Sequence, residues 1–274
     1  MSPRRLIMLI AVAASLIVAA VGLKRCSTTG NYTDGSQYEQ NLESLVSTLS
    51  TTAAANGKDG SWFDSDGVGT APDRAWGLIM CYADRTATQC RDCLRNASLA
   101  WLTDVCPGPG GHSRSLSVSY DDDGCLLRYA DAPFFGTADT RDWVFVWATA
   151  YVNATDAARM NETRWQLLSD LAGRAGDDGD RWLTSGGARY TDARGQEQVL
   201  YGFVQCTRDL EASECTRCLV LALIFLSQRK DVNSSLSVAG SVKGFSCYVR
   251  YQLNHPIPVP LKPAGTSESD HYCK

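Results

Sequence analysis

The polar and apolar positions of this chain spell out one pattern twice. Over residues 38–49, Leu42, Leu45, Val46 and Leu49 fall on one helical face with polar residues between them. The counterpart begins near Trp165, where Trp165, Leu168 and Leu171 are spaced by three and Leu167 stands beside them. Gly57 and Gly173 follow these runs, where helices commonly stop. Short apolar or aromatic runs come next, at 75–81 and 199–206, and read as strands. Each leads into a second helix expected to begin at a Cys-x2-Cys. In the first copy Leu94, Ala97, Trp101 and Leu102 make the apolar stripe. In the second, residues 219–226 are apolar all round, which marks a helix that is wholly buried or covers a neighbour, near the contact between the halves.

Both copies close on alternating segments, 115–120 with 125–129 and 236–242 with 245–251, read as antiparallel strands joined by turns at 121–124 and 243–244. The predicted fold is therefore α+β. It has two tandem modules, each an antiparallel β-sheet with two helices packed on one face and stapled by disulfides. Module one is expected over 23–137 and module two over 143–253, with a linker near 136–142. Residues 254–274 carry Pro256, Pro258, Pro260 and Pro263, then Ser and Thr, and read as an extended or disordered tail.

The N-terminus changes the compartment. Arg4 and Arg5 precede an apolar run over 6–21, and Ala20, Val21 and Gly22 are small enough for cleavage. Residues 1–22 read as a secretory signal peptide, because the run falls short of the roughly 20 residues a membrane span needs. With it removed, no segment is long enough for a stable span. An oxidising destination makes the 11 cysteines disulfide candidates first. Sequons at Asn31, Asn96, Asn153, Asn161 and Asn233 are candidate glycosylation sites. The net charge of −4 with scattered basic residues argues against a nucleic-acid or anionic-membrane partner.

The cysteines carry the most specific signal. Cys81, Cys90 and Cys93 are spaced Cys-x8-Cys-x2-Cys, and so are Cys206, Cys215 and Cys218. A fourth cysteine follows in each half, Cys125 and Cys247, both inside Cys-x2-Arg-Tyr. A zinc site is disfavoured. Each Cys-x2-Cys has its own upstream and downstream cysteine, and His112, His255 and His271 are scattered. A redox Cys-x2-Cys normally stands without such partners. The Asp-rich stretches at 121–123 and 177–180 read as exposed turns, with no glutamate closing a calcium loop. No hydrolase, metalloprotease or phosphate-loop motif appears, so no catalytic residue, metal or cofactor is expected.

These features resemble the plant domain of unknown function 26, the Gnk2-homologous or stress-antifungal domain. The resemblance rests on the Cys-x8-Cys-x2-Cys core, Cys106-Pro107, the Cys-x-Leu-Arg-Tyr ending and Phe134-Phe135-Gly136. The opening Gly30-Asn31-Tyr32-Thr33 with Asn41-Leu42, and Asn153-Ala154-Thr155-Asp156 in the second copy, fit as well. It spans about residues 26–253 and is closest to two-domain cysteine-rich repeat secretory proteins. The family pairing implies Cys26–Cys106, Cys81–Cys90 and Cys93–Cys125 in module one, and Cys206–Cys215 and Cys218–Cys247 in module two. Module two lacks the first and fifth cysteines, Ser227 to Lys230 standing where the fifth belongs. It is therefore expected to be the less stable module unless packing between the modules compensates. Cys273 is left over, for an intermolecular pair or a free or capped thiol.

The family's mannose site uses an Asn, an Arg and a Glu. The matching positions here hold Ser27, Ser119 and Ala130, with Ser241 and Gln252 in the second copy; Arg114 and Arg128 are the nearby substitutes. Trp143 and Trp147, flanking an apolar triplet, read as domain-interface residues. The resemblance implies a secreted, non-catalytic binding protein of the plant apoplast, acting in defence or stress signalling through protein–protein or glycan recognition. Its partner would be an unknown extracellular protein or a cell-wall glycan. The alternatives are a mannose-binding antifungal lectin and the truncated ectodomain of a cysteine-rich receptor-like kinase.

Overall fold

Helix α1, Gln37–Asn56, begins where Ser36 accepts the Glu39 amide at 3.3 Å and ends at Gly57. Its buried stripe, Tyr38, Leu42, Leu45, Val46, Leu49 and Ala53, presses on a five-stranded antiparallel sheet. The strands are β1 (Leu23–Cys26), β3 (Phe63–Val68), β4 (Ala75–Cys81), β7 (Leu116–Ser119) and β8 (Cys125–Ala130), in the order β1-β7-β8-β4-β3. Two-residue strands β2 (Asn31–Tyr32) and β5 (Pro107–Gly108) flank β6 (Gly111–Ser113) in a small separate sheet. Helix α2, Ala87–Asn96, follows β4. The computed structural model describes residues 23–26, 30–96, 106–108, 111–119, 124–177, 182–229 and 236–260. The expected signal peptide, the stripe positions Ala97, Trp101 and Leu102, Asp121 to Asp123, Ser27, Asn233, Cys273 and most of the proline-rich tail lie outside the described residues.

Module two repeats the plan. Strands β9 (Val144–Trp147), β10 (Leu183–Thr191), β11 (Glu197–Cys206), β12 (Ala239–Lys243) and β13 (Cys247–Leu253) form a sheet in the order β10-β11-β13-β12-β9. Helix α3, Ala154–Asp177, and helix α4, Ala212–Ser227, cover one face of it. The buried positions of α1 reappear in α3 in order: Tyr38, Leu42, Leu45, Val46, Leu49 and Ala53 match Met160, Arg164, Leu167, Leu168, Leu171 and Ala175.

Four local readings are corrected. Helix α3 continues through Gly173, which faces open space, because packing of the stripe outweighs one helix-weak residue. Trp165 is 46% exposed, and Arg164 takes the buried position beside it. The second helices start before their Cys-x2-Cys. In α2, Thr86 accepts the Gln89 amide while the Gln89 side chain accepts the Thr86 amide at 2.9 Å, a reciprocal cap that sets the start. Strands β3 and β10 are additions, each preceded by a tryptophan at positive φ, Trp62 and Trp182. The carbonyls of these tryptophans accept the amides of Cys81 and Cys206.

The sheet faces opposite the helices meet each other. Gly77 and Gly202 turn toward the helices, against Leu45 and Leu49 and against Leu168 and Leu171. The alternate positions Leu78, Met80 and Tyr82 share one core with Phe203, Phe245 and Tyr248 of module two. Layers thus run helix, sheet, sheet, helix, and β4 is buried on both faces, which explains its unbroken apolar run. The contact is built reciprocally. Asp84 stands three residues after Cys81 and Asp209 three after Cys206. Asp84 accepts from Arg250 at 2.6 Å and from the Tyr248 hydroxyl at 3.2 Å, and the Asp209 charge acts on Arg128 across the same boundary. Gln205 accepts the Ala83 amide at 2.9 Å and donates toward the Cys81 carbonyl at 3.4 Å. The expectation that α4, Trp143 and Trp147 sit at the module contact is therefore overturned. Val220 and Ile224 of α4 are exposed, Trp147 is exposed beside Phe145, and Trp143 packs on Phe225 within module two.

Candidate functional site

Ten cysteines are joined as Cys26–Cys106, Cys81–Cys90, Cys93–Cys125, Cys206–Cys215 and Cys218–Cys247. The 9-residue separations tie β4 to α2 and β11 to α4; those of 32 and 29 residues tie the same helices to β8 and β13. Cys26–Cys106 ties the end of edge strand β1, which pairs with β7, to the residue before β5. The chemistry of these sulfurs is thus structural, and ligand recognition falls to other side chains.

A concavity opens beside β1, where the module-facing side of the sheet meets the linker. It holds about 350 Å³. Register places Arg25, Ser117 and Arg128 in one row across β1, β7 and β8, so all three side chains share a face. The segment after β8 supplies Phe134, the linker supplies Asp139 and Arg141, and Ala130 closes one side. Asp139 is the buried hub. It accepts from Arg25, and from Arg141 at 2.9 and 3.1 Å, and its amide donates to the Ser246 hydroxyl at 2.9 Å. Arg128 stacks on Phe134 at 4.3 Å, donates to Ser246 at 3.3 Å, and leaves its buried Nε unpartnered. Burial pushes the Arg128 guanidinium down to about 10, with the Asp209 charge opposing. Burial also lowers Arg25, against the hydrogen bond to Asp142. The Arg141 side chain is 75% exposed at the rim. Three guanidiniums and one carboxylate line this cavity, which suits an oxygen-rich anionic group.

The positions implied for mannose do not converge here as a carboxylate and an amide. Ala130 lines the cavity without a polar group, and Ser119 lies in β7. Arg128 is in the cavity, whereas Arg114 is held elsewhere, over the Tyr38 ring and bonded to Asp131 and the Pro72 carbonyl. In module two, Ser241 lies in β12, and Gln252 accepts from Arg250 at 3.2 Å. Arg25, Asp139 and Arg141 were not singled out from sequence; they come from two separate segments, and no spacing rule links them. Asn31, Asn96 and Asn153 are exposed and Asn161 is half-buried. Among the described residues no helix is long and apolar enough to cross a membrane.

Back-to-back, disulfide-stapled α+β modules define a tandem cysteine-rich repeat protein. The crystal structure of the tandem DUF26 ectodomain from the Arabidopsis thaliana cysteine-rich receptor-like protein PDLP8 has this architecture. It matches with a TM-score of 0.61 and 26% identity, covering 84% of this chain and 96% of that one. The salt stress response/antifungal family model matches residues 25–132 and 148–254, and the chain belongs to that family. An antimicrobial ginkbilobin-2-like protein of Castanea crenata is 32% identical over 228 residues, covering 83% of this chain and 85% of the relative. Cysteine-rich repeat secretory protein 38 of Arabidopsis thaliana is 30% identical over 230 residues, covering 84% and 82%. The family thus joins secretory and antimicrobial cysteine-rich proteins with receptor ectodomains, which is consistent with a role in defence or stress.

Proposed function

We propose that this protein is a secreted, non-catalytic recognition protein of the plant apoplast, acting in defence or stress signalling by binding an acidic cell-wall glycan. The observation that carries this reading is the convergence of Arg25, Arg128 and Arg141 on one cavity at the module junction, with Asp139 the lone carboxylate among its lining residues. Guanidinium forks match carboxylates in paired hydrogen bonds, and a partly buried site strengthens them. The exposed sequons at Asn31, Asn96 and Asn153 are the proposed glycan carriers.

Calorimetric titration of the disulfide-intact protein tests the reading. An oligogalacturonide is expected to bind saturably, and Arg141→Ala to weaken it by about tenfold or more. Mannose and a mannan oligosaccharide are expected to give no heat at millimolar sugar. Saturable mannose binding would instead favour the lectin alternative, and silence with every glycan would favour a protein partner.

A further inference from the structure

The covered face of module two holds a second cavity, away from the junction. It lies between α3 and α4, measures about 300 Å³, and is lined by Asn161, Arg164, Trp165, Leu168, Leu223, Leu226, Ser227 and Arg229. Four of its lining residues, Trp165, Leu168, Leu223 and Leu226, are apolar, and at its base is a cation. Arg164 is 8% exposed and lies over the Tyr251 ring at 4.7 Å. Its Nη1 is buried, its charge acts on the Tyr251 hydroxyl, and no carboxylate among the described residues pairs with it. A buried guanidinium without an anion is costly, so such a group calls for a partner. The fold does not require it, because the equivalent position of module one is the fully buried Leu42. A second arginine, Arg229, is exposed nearby and stacks on Phe225 at 4.1 Å. Ser227 and Arg229 belong to the segment standing where the first module has its fifth cysteine. The Asn161 Oδ1 atom, also in the wall, is likewise buried and unpartnered.

We infer that this groove binds a small amphipathic carboxylic acid. The carboxylate would take the guanidinium of Arg164 and the apolar body would lie against Leu168, Leu223 and Leu226, with Trp165 at the rim. At a liquid-like volume of about 30 Å³ per water-sized group, the cavity accommodates about ten non-hydrogen atoms. The site is separate from the junction cavity and does not depend on it.

Octanoate, with octanamide as its uncharged match, is the probe for calorimetry. Thr163→Ala protein is used, which lacks the Asn161 sequon but keeps every lining residue. Octanoate is expected to bind saturably at one site, octanamide about tenfold or more weaker, and Arg164→Met to lose the same factor. Arg141→Ala is expected to bind octanoate unchanged, which separates this site from the junction. Arg164→Met is also expected to melt no lower than its parent, because an apolar side chain fills that slot in module one. Equal binding of octanoate and octanamide overturns the inference, as does no octanoate binding, and this comparison stands even if Arg164→Met misfolds. A folded Arg164→Met that keeps octanoate affinity, or Arg141→Ala that loses it, also overturns it.

Discussion

Replacing Asp84 tests how the two modules are held together. Its side chain is fully buried at the boundary, where one oxygen accepts from Arg250 at 2.6 Å and from the Tyr248 hydroxyl at 3.2 Å. The other oxygen lies 3.8 Å from Arg85 Nε. Asp84→Ala leaves Arg250 without its anion and strands a buried hydroxyl. Losing one partner of a buried pair costs 3–5 kcal/mol in general. Arg250 keeps 27% of its side chain exposed and retains Gln252 at 3.2 Å, so solvent offsets part of that loss. The expected destabilisation is about 3 kcal/mol, the low end of that range. Asp84→Asn keeps an acceptor but removes the charge, and should cost about 1.5 kcal/mol. Urea unfolding of the disulfide-intact protein, followed by tryptophan fluorescence, reads both. A cycle with Arg250→Ala should give a coupling of about 2 kcal/mol. Because Phe203, Phe245 and Tyr248 share the core of module one, the loss should appear as a shift of one transition. A loss below about 1 kcal/mol, or zero coupling, would refute the reasoning.

Two further outcomes are expected. Exchanging Cys26 and Cys106 for Ser opens a separation of 80 residues and should cost about 4.5 kcal/mol in the chain-entropy model, against about 2.6 for the Cys206–Cys215 pair at 9 residues; equal losses in denaturant unfolding would contradict it. Glu214, at the start of α4, accepts from Arg217 and from the Ala138 amide, which holds its carboxyl down to about 2. Since this value lies below the ordinary 4.5, its stabilisation is complete above pH 4.5 and fades as pH falls toward about 2. Glu214→Gln should flatten the stability profile in that window, and an unchanged slope would exclude the linker contact as its cause.

How far the chain is readable depends on what each element touches. Helix α1 was legible because Leu42, Leu45, Val46 and Leu49 meet a single sheet face, so burial and periodicity coincide. Strands β3 and β10 were not. They are edge strands; β3 reads Phe-Asp-Ser-Asp-Gly-Val and β10 carries Gly186 and Gly187, so neither alternates clearly. The apolar run of β4 did announce a strand, but its second buried face is explained only by the opposing module. Helix α4 misled in the opposite direction, because its all-round apolarity includes Val220 and Ile224, which stay exposed.

The sequence by itself determined the α+β module, its duplication and its family, because periodicity and cysteine spacing are local properties that survive without coordinates. It also placed Arg128 inside a repeated motif. Only the tertiary structure decided that the sheets pack face to face, that Asp84 reaches Arg250 across the boundary, and that Arg25, Asp139 and Arg141 meet Arg128 around one cavity. It likewise put Arg164 in a slot that is leucine in the first module. These are contacts between residues far apart along the chain, and their energetics depend on burial, which no spacing along the sequence encodes.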